Sequence, residues 1–197
     1  MGLTLRLEKG ESLTYQEFDD NFTYLKNFAN SLAGIGGQSF SFDNFAYIED
    51  RKDAGTNGGT ASSGAWRTRD LNSLIINNID GLTLENNQVT FPAGKFWIEA
   101  IAPFYRVDRS CIRLYDIIDA EVLIQGRTDY GSNNSSYSGQ YSRLKGIIEN
   151  DSEFTTQIQY RCDDNNSNNG LGVNSGNISS YVEHEVFTMM QIWKIGA

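Results

Sequence analysis

The sequence is poor in the residues from which most catalytic and metal sites are built: 1 histidine, 2 cysteines and 3 methionines in 197 residues. The lone histidine, His184, stands between Glu183 and Glu185. A glutamate can orient an imidazole, yet no serine or cysteine sits in a nucleophile elbow, so His184 reads as a surface residue among charges. Asp19–Asp20 and Asp163–Asp164 are neighbours in sequence, and neighbours do not face each other across a glycosidic bond at about 5–9 Å. No glycine-rich loop joins a strand to a helix, which removes a phosphate cradle. Cys111 and Cys162 lack the companion ligands of a zinc site and read as free thiols in the core rather than a disulfide. No enzyme, cofactor or metal is expected.

Basic residues are also short, 16 against 25 acidic for a net charge of −9. A nucleic-acid partner is excluded, because phosphate binding needs a basic face. No run approaches the roughly 20 apolar residues that span a bilayer, so no membrane insertion is expected. Arg6, Glu8 and Lys9 lie where a secretory signal would be apolar, and Arg6 takes the place of the Ser or Thr of a myristoylation motif. The chain reads as one made and folded in a cytosol.

Proline is nearly absent, with Pro92 and Pro103 alone, whereas 19 glycines and 24 aromatic residues (11 Phe, 10 Tyr, 3 Trp) are present. That balance favours many short strands with tight turns over a helical bundle. The stretch Gly64–Val107 opens such a domain. Leu74–Ile76, Leu82–Leu84 and Phe96–Ala102 are apolar runs, separated by turn-prone Asn77–Gly81 and Glu85–Gln88. In the longest run Phe96, Ile98 and Ala100 point one way, Trp97, Glu99 and Ile101 the other.

Ahead of it, Thr14-Tyr-Gln-Glu17 is a capping box, and the helix it opens should run to about Leu32, where Gly34, Gly36 and Gly37 end it. Tyr15, Phe18, Phe22, Leu25, Ala29 and Leu32 recur at spacings of 3 and 4, a seam of period 3.5. It docks either on its own domain or on copies of itself. SFSFDNFAYI continues into Ile48–Asp53 as strand, and Gly55–Gly64 is a soft stretch that either crosses another segment closely or moves freely.

Beyond the opening stretch, Ile112–Ile118 and Val122–Gln125 read as strands flanking a turn at Asp119–Glu121. Ser132–Ser138 is a polar loop and Tyr141–Ile148 a less regular strand. Phe154–Cys162 alternates cleanly, with Phe154, Thr156, Ile158, Tyr160 and Cys162 on one face. Asp163–Asn169 reads as a solvated loop, since it lacks the ordered spacing and closing glutamate of a calcium loop. In Val186–Ile195 both faces are apolar, with Val186, Met190 and Ile192 on one and Phe187, Met189, Trp193 and Ile195 on the other. A monomeric sandwich covers one face of each sheet. The second face therefore meets another subunit or the N-terminal segment.

Two motifs resemble a known family. Leu13, Thr14, Glu17, Asp19, Asn21, Phe22 and Leu25 form a leader similar to the one that opens many tailed-bacteriophage fibre and virion proteins. DAGTNGGTASSGAWRTRDLN (Asp53–Asn72), FPAGKFWIEAIAPFYRVDRSCIRLYD and the closing QIWKI resemble the C-terminal β domain of phage fibre proteins. The resemblance covers roughly residues 1–30 and 46–197. It implies a mainly β protein, an antiparallel jelly-roll β-sandwich with a short N-terminal helix, similar to tumour necrosis factor and complement globular heads and trimeric like them. Residues 1–34 would be a virion-anchoring leader, 35–45 a linker or strand, and 46–197 the head. The seven leader residues would anchor the chain to other virion proteins of the tail or capsid. Phe18, Phe22, Leu25, Phe187, Met189 and Trp193 would meet at the trimer interface.

Expected function follows as a structural virion protein, a homotrimeric tail or head fibre assembled in the host cytoplasm and displaying its head to the bacterial surface. The second reading is a lectin-like tip recognising a bacterial surface glycan through Tyr130, Tyr137, Tyr141, Asn165 and Asn168. A polysaccharide depolymerase is the third, against which stand the short length and the lack of a spaced carboxylate pair.

Overall fold

The structure is a computed structural model that describes residues 9–36, 42–132 and 139–196, with the side chains of 29–42 excepted. It divides into two compact units, 1–42 and 43–197.

In the first unit, helix α1 spans Tyr15–Gly36. The capping box forms reciprocally: the Glu17 amide donates to Thr14 Oγ1 (3.2 Å), and the Thr14 amide donates to Glu17 Oε2 (2.7 Å). Lys9 Nζ lies 2.5 Å from the same carboxylate. The Lys9 contact first, and the two Thr14 donors after it, hold the Glu17 carboxyl down to about 2. The helix passes the expected stop near Leu32 and takes in Gly34. A glycine in a helix costs about 1 kcal/mol relative to alanine, a penalty that does not forbid it. Tyr15, Phe18, Phe22 and Leu25 all stand exposed, and the Phe18 and Phe22 rings touch at 5.8 Å between centroids.

The second unit is built from strands β1 (Phe45–Asp53), β2 (Arg67–Thr68), β3 (Ser73–Asn77), β4 (Thr83–Glu85), β5 (Gln88–Phe91), β6 (Gly94–Tyr105), β7 (Asp108–Asp116), β8 (Glu121–Gln125), β9 (Asp129–Gly131), β10 (Gly139–Asn150), β11 (Phe154–Cys162) and β12 (His184–Gly196). One antiparallel sheet runs β10-β6-β12-β1-β3; the other runs β4-β5-β11-β7-β8, with β2 added beside β11 and β9 beside β7. The chain changes sheet between β1 and β2, β2 and β3, β3 and β4, β5 and β6, β6 and β7, β9 and β10, β10 and β11, and β11 and β12. First and last strands pair side by side. That winding is a jelly roll, which places its long hairpins across the sandwich rather than within one sheet.

The expected faces hold. Phe96, Ile98 and Ala100 are buried between the sheets, as are Phe154, Thr156, Ile158, Tyr160 and Cys162 on β11. Phe91, Phe96 and Phe154 pack with centroids 5.0–6.4 Å apart at one end of the core. Phe104 and Tyr160 meet at 5.9 Å at the other. Apolar residues at period 2 do this by themselves, because alternate side chains of a strand face opposite ways.

Turns account for the differences from the expected spans. Asn86 and Asn87, both at positive φ (52° and 64°), make the two-residue β4–β5 hairpin, so Gln88 already belongs to a strand. The turn after β7 falls at 117–120 instead of Asp119–Glu121. Asp116 Oδ1 accepts from the amides of Ile118 (2.7 Å) and Asp119 (3.1 Å), closing the chain earlier than the apolar pattern ends. Cys111 and Cys162 are free. Cys162 faces the core, whereas Cys111 belongs to the alternate, outward set of β7. Burial pushes the Cys162 thiol up to about 11 and raises that of Cys111 as well.

Residues 55–64 are not a free linker. Gly58 donates to Gly172 O, Gly59 to Asn168 O, and Ala61 and Asn166 exchange both backbone bonds. A Cβ at Gly58 would stand 2.5 Å from Leu171 O, so only glycine permits this crossing. The crossing strings the glycine-rich segment and the loop 163–172 together, some 100 residues apart in sequence.

Candidate functional site

Two surfaces of the head carry features that its stability does not require. The first is the outer face of the β10-β6-β12-β1-β3 sheet. Cross-strand register aligns Phe45, Trp193, Trp97 and Ile147 in one row. The next row places Ile76, Tyr47, Gln191, Glu99 and Lys145 side by side, and a third holds Met189, Ile101 and Arg143. The Phe45 and Trp193 rings pack at a tilt of 43° with centroids 5.1 Å apart. Burial first, and the Glu49 carboxylate second, push the Tyr47 phenol up to about 12. Ile147 is 50% exposed and Ile76 39%. Opposed aromatic and aliphatic pairs of this kind are what a sheet normally turns inward.

Along β12 the double apolarity divides in two. Met189 and Trp193 are half-buried on the outer face, and Ile195 is exposed. Phe187 is only 5% exposed. Its ring is covered by Gly172, where an added Cβ would stand 2.2 Å away. For Phe187, then, the second face is filled by the chain's own loop. Glu185 is held there too, accepting from the amides of Gly55 (2.9 Å) and Ser175 (3.0 Å) and from Ser175 Oγ (2.6 Å). The Ser175 hydroxyl foremost, and the two amides with it, lower its carboxyl below the usual range despite its burial.

The second surface is a groove of about 610 Å³ between the crossing segment 58–62, β2 and β11. Trp66, Thr68, Gln157 and Gln159 line it, with Asp70 and Tyr160. Pairing of Thr68 with Gln159 and of Arg67 with Tyr160 sets β2 along the edge of β11. Gln159 Oε1 accepts from Arg113 Nε (2.8 Å), and Thr68 Oγ1 donates to Gln157 Oε1 (2.9 Å). The Arg113 guanidinium lies 4.1 Å from the Trp66 ring and 4.5 Å from that of Tyr115, so the arginine is clamped between two aromatic faces. Beneath the groove Arg69 is fully buried, donating from Nε to Thr188 Oγ1 (2.9 Å) and from Nη2 to Leu171 O (2.9 Å), with its guanidinium over Phe104.

The anticipated site residues fall in several places. Leu13 and Thr14 lie just before α1 and Glu17, Asp19, Asn21, Phe22 and Leu25 in its first half, with Thr14 and Glu17 used in the cap. Tyr130 is 61% exposed with Arg109 over its ring, and Tyr141 is 55% exposed on β10. Tyr137 lies outside the described residues. Asn165 Oδ1 accepts from the Ser63 amide (2.7 Å), and the Asn168 amide donates to Thr60 Oγ1 (3.0 Å). Both asparagines therefore brace the wall of the groove. Trp66, Gln157 and Gln159 were not singled out from sequence. Trp66 stood inside the AWRTRDLN motif, and the two glutamines on the wet face of the alternating strand, where nothing distinguishes a ligand contact from a solvated side chain.

Among the described residues no group of three or more His, Cys, Asp or Glu is placed to hold a metal ion. No described helix is long and apolar enough to cross a membrane. No protein-family model matches the sequence, and no curated protein matches it. Among solved structures, murine APRIL at pH 5.0 superposes with a TM-score of 0.49 at 8% identity, covering 77% of this chain and 98% of that one. The globular domain of zebrafish complement 1qA superposes with a TM-score of 0.49 at 11% identity, covering 77% and 96%. The chain's own strand order is what makes it a jelly-roll sandwich, two antiparallel sheets, with helix α1 in the N-terminal unit.

Proposed function

We propose that the protein is a trimeric virion fibre, anchored by its N-terminal leader and displaying the jelly-roll head to a bacterial surface. The observation that carries the trimer is the outer face of the first sheet, where Phe45, Trp193, Trp97 and Ile147 stand in register across four strands. In that row Phe45 is buried against Trp193, Trp97 and Trp193 are half-buried and Ile147 is 50% exposed, and apolar side chains left partly open together on one face mark an interaction site. The helix carries a second one in Tyr15, Phe18, Phe22 and Leu25. Further copies of the same chain account for both at once, because like seams meet in a parallel assembly. The leader motif and the AWRTRDLN stretch, similar to phage fibre proteins, support three copies and a place on the virion.

Light scattering of the purified chain tests this. The expected mass is three times the 22.1 kDa of one chain. Trp193→Ala, which opens the apolar row without touching the inner core, should shift the assembly toward single chains that keep their strand content. A wild-type monomer at micromolar concentration would overturn the trimer. Deleting residues 1–34 should leave a folded head and abolish its incorporation into particles; normal incorporation would overturn the anchoring role.

A further inference from the structure

We propose that the groove beside Trp66 is a saccharide-binding site, a reading that rests on the head facing a host surface. Three residues of its lining carry hydrogen-bond donors for which no partner is found among the described residues: the Trp66 indole N–H and the Nε2 groups of Gln157 and Gln159. In each glutamine the oxygen is already taken, by Thr68 in one and by Arg113 in the other. Arg113 is a donor only, so the Gln159 carboxamide has a single allowed orientation, with its NH2 left over. Gln159 is 8% exposed, which locks that orientation by packing as well. Spacing follows from the strand, since residues 157 and 159 are two apart on one face, about 7 Å. Fixed donors at fixed spacing are preorganised for a ligand and lose little entropy on binding.

The chemistry of the lining selects the class. Arg113 covers one face of the Trp66 ring, and the indole also borders the groove. An aromatic surface beside amide donors and a carboxylate suits a molecule with C–H faces and hydroxyls, each hydroxyl both donor and acceptor. Asp70 supplies the carboxylate and is held by Lys52 at 2.6 Å. Arg67 already donates from Nε to Ser62 O (3.2 Å) and shares the lining with the Asp70 carboxylate, which repels an anion, so the groove does not favour a phosphate. Its lining is too polar for a hydrocarbon ligand. A peptide strand cannot add to this edge of β11, because β5 takes residues 154–156 and β2 takes 159–160. The walls are rigid, pinned by Asn165 to Ser63 and by Asn168 to Thr60. The groove belongs to the β4-β5-β11-β7-β8 sheet side, away from the apolar face of the other sheet, and stays open when copies associate through that face.

The test uses the full chain with oligosaccharides released from bacterial capsule and lipopolysaccharide, and with inorganic phosphate as a control, followed by calorimetry. Binding of one or more saccharides and not of phosphate is expected. Gln157→Ala, at a half-exposed position, should weaken it by about three- to ten-fold, the worth of one hydrogen bond. Trp66→Phe should weaken it comparably, and Trp66→Ala by about ten-fold or more. Melting temperature and mass are read on each variant, so that a loss of binding with both unchanged is assigned to the groove. Saccharide binding that is equal in wild type, Gln157→Ala and Trp66→Phe would overturn the proposal, as would phosphate competing for the site or no saccharide binding at all. A monomeric chain that still bound sugar through Trp66 would sink the trimer and leave the groove standing.

Discussion

Replacing Arg69 with alanine is expected to cost the head about 3–5 kcal/mol, because it breaks a buried hydrogen-bonded network and empties the space of a large side chain. The guanidinium is fully buried, and burial draws its pKa down to about 10, so it remains a cation at neutral pH. Removing it leaves Thr188 Oγ1 and Leu171 O without donors. A buried acceptor deprived of its partner costs about 1–3 kcal/mol. The guanidinium also sits 5.2 Å from the Phe104 ring and 6.0 Å from that of Tyr160, a desolvated arrangement worth about 2 kcal/mol. Against these stands the desolvation cost of the cation, several kcal/mol, which the mutation relieves. For a head of this size each kcal/mol moves the melting temperature by about 2–4 °C, so a fall of roughly 6–20 °C should appear in a thermal melt followed by circular dichroism. Arg69→Met combined with Thr188→Val, which removes the orphaned hydroxyl and refills the space, should recover most of the loss. An Arg69→Ala head melting within about 2 °C of wild type would refute the reasoning.

Gly172→Ala drives a methyl to 2.2 Å from the Phe187 ring at a φ of +138° and should destabilise by about 2–4 kcal/mol in the same melt; a neutral result would mean the loop does not cover Phe187. Glu185→Gln should cost about 1.5–3 kcal/mol at neutral pH, because three donors meet the carboxylate. The Glu185 carboxyl is lowered on folding, so its contribution is present above the unfolded value near 4.5 and fades as pH falls through the folded one; the glutamine variant should lack that part of the acid profile. Glu17, lowered to about 2, should keep α1 capped through pH 4.5 and release it toward pH 2, so Glu17→Gln should reduce helicity at neutral pH and flatten its acid dependence. Residues 43–197 alone should melt cooperatively, as a unit with its own core does; a non-cooperative melt would show that the leader completes that core.

What the sequence determined by itself is the local grammar. The capping box at Thr14, the alternation of Phe154–Cys162 and the facing of Phe96, Ile98 and Ala100 depend on residues a few positions apart, and their physics is complete within one helical turn or one strand. The two-asparagine hairpin at Asn86–Asn87 belongs with them, since those residues tolerate positive φ. The jelly roll was legible only through resemblance to a family, because no local rule says that β1 lies beside β12. Tertiary structure alone decided the rest. Gly55–Gly64 is pinned rather than mobile because its backbone partners sit at 166–172. Phe187 is covered because the same loop folds back on it. Arg69 in RTRD looks like a surface charge until Thr188, Leu171 and Phe104 close around it. Trp66, Gln157 and Gln159 become one groove only when β2 pairs with β11. Each of these contacts joins residues roughly 15 to 120 positions apart, and such contacts are decided by packing the whole core, to which no short window of sequence has access.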